Sequence, residues 1–338
     1  MKLTNPRIEF MELPDLPADQ AELLDALDRV KVSCDVVERY EGPRTIAYRI
    51  MPAPGTTIAR VKSRMSDLAI QLEVPECVCR EEGGMLFLEV TKNSPDFPTY
   101  DTLPLPADPR DILVGVDTTG NPVTMRLSNM PHCIVAGTSG SGKSVALRSI
   151  IRGVLRQTGS AVYVVDPKNG GDFGDSRTCR IDRSYLSVEC GRRRPTSMRI
   201  AEAWGLLNYR RGIRRQGFLP DTAPMEGAPL LLVVDELQSI IDDSKNHFAL
   251  NQLLAMGRSY NIHCVLATQA PSAKLLGGNE IRLNAPTRLV LKVTTGSDSR
   301  VALTQAGAEK LLGKGDALFL YDGRIVRMQV PLLETLYG

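Results

Sequence analysis

Three short stretches of this sequence combine residue types whose spacing suits work on phosphate groups. The first is GTSGSGKS, Gly137 to Ser144, which fits G-x-x-x-x-G-K-[ST] at every fixed position. Gly137, Gly140 and Gly142 let the backbone curl, with Thr138, Ser139 and Ser141 between them, so that successive N–H groups point at one anion. Lys143 would reach the β- and γ-phosphates of ATP, and the Ser144 hydroxyl would hold Mg²⁺. A merely flexible Gly/Ser turn would not need the strand-like HCIVA before it or the helix-like SVALRSIIRGVL after it. A dinucleotide site would need a different glycine spacing. The second stretch is LLLVVDE, Leu230 to Glu236, an apolar run that ends in two carboxylates. In a phosphate-loop enzyme Asp235 would bind Mg²⁺ and Glu236 would orient and deprotonate the attacking water. A Glu in that position favours ATP hydrolysis over a small regulatory GTPase. The third is VLATQAPS, Val265 to Ser272, where Thr268 and Gln269 would emerge from a strand end. Gln269 would there sense the γ-phosphate, or be no more than the polar start of a loop.

These residues need elements to hold them. HCIVAG, AVYVVD, PLLLVVD, IHCVLAT, TRLVLKV and DALFLY are short, nearly continuous apolar runs separated by helical patterns. Strands covered on both faces look like this, so a mainly parallel, helix-covered α/β sheet is expected over 112–338. Residues 93–111 hold five prolines and read as a linker. Before them, over 1–92, a helical pattern at 13–30, strands at SCDVVERY, RTIAYRIM and MLFLEV, and a helix at TIARVKSRMSDLAIQL make a small α+β domain.

The whole composition is ordinary. Of 338 residues, 43% are hydrophobic and 24% charged, which excludes disorder, collagen and coiled coil. No apolar run approaches a membrane span or a signal core, so a soluble, cytoplasmic chain with no membrane segment is expected. Seven scattered cysteines include one close pair, Cys77 and Cys79, a poor metal or disulfide framework. The formal charge of +2 conceals a division: residues 1–110 carry 13 basic and 19 acidic side chains, a net of −6, and the remainder carries +8. A polyanionic partner is therefore a question for the second segment.

At this level the chain resembles the motor of the FtsK/SpoIIIE family of double-stranded DNA translocases. The resemblance rests on AGTSGSGKS, YVVDPK, LLVVDELQ, IHCVLATQAPS, NAPTRLVLKV, DSRVAL and, most specifically, GAEKLLGKGDALFL from Gly307 to Leu320. ERYEGPRTIAYRIMPAPGTTIARVKSRMSDLAIQL is similar to the smaller α-domain that precedes the RecA-like β-domain in these motors. The resemblance implies an ATPase that forms a hexameric ring around double-stranded DNA, with ATP and Mg²⁺ between subunits. By position it makes Lys143 and Ser144 nucleotide and metal residues, Asp235 and Glu236 the acidic pair, Gln269 the sensor and Arg258 the arginine finger for a neighbouring subunit. Ala270 stands where the family commonly has an arginine, and Lys274 is a candidate replacement in DNA contact. No γ winged-helix domain or membrane anchor is recognisable, which suits a mobile-element or trimmed motor. A conjugative DNA-transfer or genome-packaging ATPase and a protein-secretion ATPase are the alternatives.

Residues 174–216 contain eleven arginines, no lysine and four acids. Arg192, Arg193 and Arg194 are their densest part. They read equally as duplex phosphate contacts or as a solvated or intersubunit ion-pairing surface.

Overall fold

The computed structural model describes residues 18–168, 172–173, 177–181, 184–190, 197–212, 227–276, 279–334 and 336. The chain divides into two compact units, Met1–Pro95 and Asp96–Gly338.

In the first unit, strands β1 (Cys34–Glu41), β2 (Thr45–Pro52), β3 (Cys77–Glu82) and β4 (Met85–Thr91) form an antiparallel sheet in the order β1-β2-β4-β3. Helices Ala18–Arg29, Ile58–Ser63 and Met65–Gln71 cover it, and Leu23, Leu27, Tyr48, Ile50, Val61, Leu68 and Leu88 make the core. The single helix expected from TIARVKSRMSDLAIQL is two. Arg64 leaves helical geometry (φ −101°, ψ 2°) and its amide donates to the Val61 carbonyl, a tighter bond than the α-helical one. The apolar stripe survives because both pieces bury the same face.

The second unit has strands β5 (Asp111–Asp117), β6 (Pro122–Arg126), β7 (His132–Ala136), β8 (Ala161–Asp166), β9 (Arg177–Ile181) and β10 (Ser184–Cys190). It continues with β11 (Leu230–Val234), β12 (Ile262–Thr268), β13 (Thr287–Leu291), β14 (Asp316–Tyr321) and β15 (Arg324–Gln329). They lie in one sheet, in the order β6-β5-β15-β14-β13-β7-β12-β11-β8-β10-β9. From β13 to β10 every neighbour is parallel; the strands beyond at either end are antiparallel. The parallel centre holds five of the six apolar runs of the sequence, and the sixth, DALFLY, is β14, antiparallel to both its neighbours. The antiparallel margins were less visible because strands such as RIVRMQ carry charges on a partly solvated face.

Side-chain alternation divides the core between the two faces. Cys133, Val135, Val162, Val164, Leu231, Val233, Val265 and Ala267 face one side and pack on Ala146, Leu147, Ile150, Ile151 and Val154 of helix Lys143–Leu155. Ile134, Tyr163, Val165, Leu230, Leu232, Val234, Cys264 and Leu266 face the other. There they meet helices Met198–Arg210 and Ser244–Met256.

Much of the proline-rich segment is built into the second unit rather than linking the two. The Tyr100 amide donates to the Leu332 carbonyl and the Leu332 amide to that of Pro98, each at 2.8 Å. Tyr100 is buried against Leu113 and Leu333. Proline lacks the donor but keeps the acceptor, so it can anchor such a bridge.

Leu232 is fully buried and Leu283 is 74% exposed. Leu232→Ala should lower the free energy of unfolding by about 2–5 kcal/mol. Leu283→Ala should change it by less than about 0.5 kcal/mol, both read from urea unfolding.

Candidate functional site

The parallel register brings several strand ends to one edge. Ala136 pairs with Thr268, while Val234 is level with Leu266 and Val165. Gly137, Gln269 and Asp235, which follow their strands, and Asp166, the last residue of β8, therefore stand side by side at that edge.

The loop Gly137–Gly142 is held from three directions. Gly137 N–H donates to Thr268 O at 3.2 Å, and Thr138 N–H to Lys292 O at 2.9 Å. Gly315 N–H donates to Ser141 O at 2.7 Å. Gly142 has φ 103°, and a Cβ there would lie 2.7 Å from the Gly315 nitrogen. Gly142 must be glycine for the two turns to meet, and Gly315, at φ 88°, has no room for a Cβ, which would lie 2.5 Å from Gln329 Nε2. This gives the GAEKLLGKGDALFL stretch a physical role: its glycine turn buttresses the anion loop. Gln329 closes the turn from behind, donating from Nε2 to Lys314 O and Val330 O at 3.0 and 2.8 Å. Thr138, Ser139 and Gly140 stand in the loop itself, and Ser144 follows Lys143 in the first turn of the helix.

Lys143 is buried and its ammonium bonds Oδ1 of Asp235, which has no exposed surface. The sheet thus joins two residues that the sequence keeps far apart. Oδ2 of the same carboxylate accepts from Lys168 Nζ at 3.0 Å. Lys168 also lies 3.5 Å from Asp172. Burial alone would lower the Lys168 ammonium, but its bond to Asp235 and the surrounding carboxylates hold it above its ordinary range.

Glu236 is half-buried and sits at φ 68°, a conformation that costs an ordinary L-residue about 1 kcal/mol or more. Its neighbours impose it: Asp235 N–H donates to Val165 O at 2.9 Å and Leu237 N–H to Ala267 O at 2.8 Å. Asp235 is buried on Lys143 and Lys168, while Glu236 beside it stays half-exposed. Gln269 is half-buried just past β12, and Lys274 is exposed on the short helix Ala273–Leu276.

Arg258 is elsewhere. It is exposed in the 3-10 turn Gly257–Tyr260, just before β12 begins. Gln269 follows the end of that seven-residue strand, so Arg258 lies roughly 20 Å away, at the opposite edge of the sheet. The structure brings Lys143, Ser144, Asp235, Glu236 and Gln269 to one edge and keeps Arg258 off it. Arg192, Arg193 and Arg194 lie outside the described residues. Two other arginines of that stretch have internal partners. Arg210 donates to the carbonyls of Ala228 and Tyr260, and Arg199 bonds Glu202 and lies over the Tyr163 ring.

Two residues at the edge were given no role by sequence reasoning, although YVVDPK contains both. They are Lys168 and Asp166. Asp166 is 1% exposed; Oδ1 accepts from the Lys168 amide at 2.9 Å, and Oδ2 has no partner among the described residues. Burial, with the Asp235 charge adding to it, pushes this carboxyl up to about 6, against the amide and ammonium of Lys168.

Residues 106–175 match the model of the FtsK/SpoIIIE family, and residues 5–82 that of the FtsK alpha domain. DNA translocase FtsK of Lactiplantibacillus plantarum is 28% identical over 91% of this chain and 42% of its own length. That of Helicobacter pylori is 26% identical over 92% of this chain and 39% of its own length. This chain thus spans about two fifths of the length of these curated relatives. Among solved structures, the pCW3 conjugation coupling protein TcpA, in a monomer form with ATPgS, has TM-score 0.59 and 20% identity. That likeness covers 93% of this chain and 95% of TcpA. The cytoplasmic domain of the Thermomonospora curvata secretion ATPase EccC has TM-score 0.55 and 21% identity over 69% of this chain and 31% of its own. At these identities the likeness is one of fold alone: an α/β core built on a large mixed sheet. No described helix is long and apolar enough to cross a membrane.

The raised carboxyl of Asp166 has a defined effect on stability. The folded state keeps this proton to a higher pH than the unfolded chain does. Its contribution is therefore full below about pH 4 and is lost as the pH rises through about 6. Asp166→Asn cannot titrate. The unfolding free energy of the wild type minus that of the variant should fall by roughly 1–3 kcal/mol between about pH 4 and 7. Denaturant titrations across that range measure it, and a pH-independent difference would contradict the assignment.

Proposed function

We propose that this chain, which is similar to the FtsK/SpoIIIE family over residues 106–175 and to the FtsK alpha domain over residues 5–82, is an ATP-driven motor that moves double-stranded DNA through a ring of its own copies, expected to be a hexamer. The observation that carries this reading is the division of candidate residues between two sheet edges. The anion loop, Lys143, Asp235 and Glu236 stand together, and Arg258 is exposed on the far edge, just ahead of β12. An arginine so placed has nothing to act on in its own subunit's site. It is suited to the site of a neighbour, where a permanently charged, planar guanidinium stabilises the charge that develops on the transferred phosphoryl group.

The mechanism follows from the residues. ATP phosphates rest on the amides of Gly137–Gly142 and on the N-terminus of helix Lys143–Leu155. Lys143 leaves Asp235 for the β- and γ-phosphates. The donor set fits Mg²⁺: Asp235 is a buried carboxylate that already attracts two cations, and the Ser144 hydroxyl lies beside Lys143. When bound, that ion supplies charge neutralisation between the phosphates. Glu236, half-buried beside Asp235 and held by neither lysine, takes the proton of the attacking water. Gln269 reports the γ-phosphate to the short helix that carries Lys274, which touches the DNA backbone. Contacts to phosphate rather than to bases suit a motor that must pass any sequence.

A second reading, DNA transfer in conjugation, has in its favour that TcpA is matched along almost its whole length. The two readings share the site chemistry and differ in which DNA is moved.

Steady-state ATPase assays with and without linear duplex DNA at low salt test the proposal. Duplex should stimulate hydrolysis severalfold, and Lys143→Ala should reduce turnover at least about a hundredfold while leaving the circular dichroism spectrum unchanged. A protein that hydrolyses ATP equally with no DNA, with duplex and with peptide would contradict the motor assignment.

A further inference from the structure

We propose that Lys168 lets the site tell a nucleoside triphosphate from a diphosphate, as a second phosphate-directed ammonium beside Lys143. The inference rests on the nucleotide-site reading above and assigns that site a further residue.

Lys143 and Lys168 reach Asp235 from opposite sides. Lys143 opens the helix after β7, while Lys168 follows β8, and β12 and β11 lie between those two strands. Yet both ammonium groups touch one carboxylate, Lys143 on Oδ1 and Lys168 on Oδ2. Any anion that draws Lys143 off Asp235 therefore arrives within a side-chain swing of Lys168.

The two lysines differ in freedom. The Lys143 side chain is 5% exposed and fixed by the helix start, whereas that of Lys168 is 37% exposed. An ammonium on a flexible four-carbon stem can follow a phosphate oxygen at little cost. Its present partners do not bind it exclusively. Asp235 is shared with Lys143, and Asp172 is 3.5 Å away.

Position decides which phosphate Lys168 would meet. The loop amides and Lys143 lie at the β7 side of the edge, and Lys168 lies beyond Asp235 on the β8 side. A chain of phosphates cradled by the loop presents its last group toward Asp235, where Glu236 also stands. A diphosphate ends one group short and remains with the loop and Lys143. Lys168 therefore adds a charge-assisted bond for the triphosphate alone.

Equilibrium calorimetry with ADP and with ATPγS, each with Mg²⁺, tests this without turnover. Lys168→Met keeps the apolar stem and removes the charge. It should weaken ATPγS about ten- to a hundredfold and ADP by less than about threefold. Lys168→Arg should restore part of the preference for ATPγS. If the Met variant melts at a lower temperature than the wild type, Lys168→Gln provides the same comparison. ATPγS affinity unchanged in the neutral variants, or equal losses for both nucleotides, would overturn the inference. Lys143→Ala separates the two levels. If it weakens neither nucleotide, the nucleotide-site reading fails. If it weakens both while Lys168→Met leaves their ratio intact, only the role of Lys168 fails.

Discussion

A buried ion pair between Lys143 and Asp235 is the contact on which the site depends. Removing both charges from water carries a desolvation cost of several kcal/mol per ion, which their attraction repays only with good geometry. Such a pair is a weak contributor to net stability but a strict demand on architecture. Removing Asp235 would leave the Lys143 ammonium buried without its partner, at a cost of about 3–5 kcal/mol, whereas Asp235 keeps Lys168 if Lys143 is lost. The parallel register meets the demand by aligning the ends of β7, β12, β11 and β8, so that residues far apart in the chain emerge together.

Around that pair the backbone is either tightly pinned or strained. The anion loop is held by carbonyls of β12 and the segment after β13, and by the glycine turn before β14. Glu236 is forced to positive φ between two amides that are already committed to neighbouring strands. A rigid sheet edge with one strained acid is a suitable scaffold for chemistry that requires little more than positioning. Asp166 adds a buried carboxyl with one oxygen unpartnered among the described residues.

The sequence was legible where one local pattern decides the structure. Gly137–Ser144 identifies a loop, the strand before it and the helix after it, because glycine spacing and the flanking apolar run leave few alternatives. LLLVVDE and VLATQ likewise place their polar residues at strand ends. What could not be read depended on contacts between distant segments. Lys168 looks like any lysine after a strand until β8 is set beside β11. The GKG turn looks like a loop until Gly142 and Gly315 approach too closely for a Cβ. Prolines suggested a linker over 93–111, yet the Pro98 carbonyl and Tyr100 amide exchange bonds with Leu332, a pairing no local pattern encodes. Composition likewise presented Arg199 and Arg210 as parts of a basic surface, whereas both hold the protein together.

In the proposed motor a complete site takes Glu236 from one subunit and Arg258 from another, because the two stand on opposite edges of one sheet. Mixing Glu236→Gln protein with Arg258→Ala protein measures this directly. Each variant alone should hydrolyse ATP at a small fraction of the wild-type rate in the presence of duplex DNA. Their mixture should regain activity, since some interfaces then pair an intact Glu236 with an intact Arg258. A mixture no more active than its components, or an Arg258→Ala protein that turns over as the wild type does, would contradict the account.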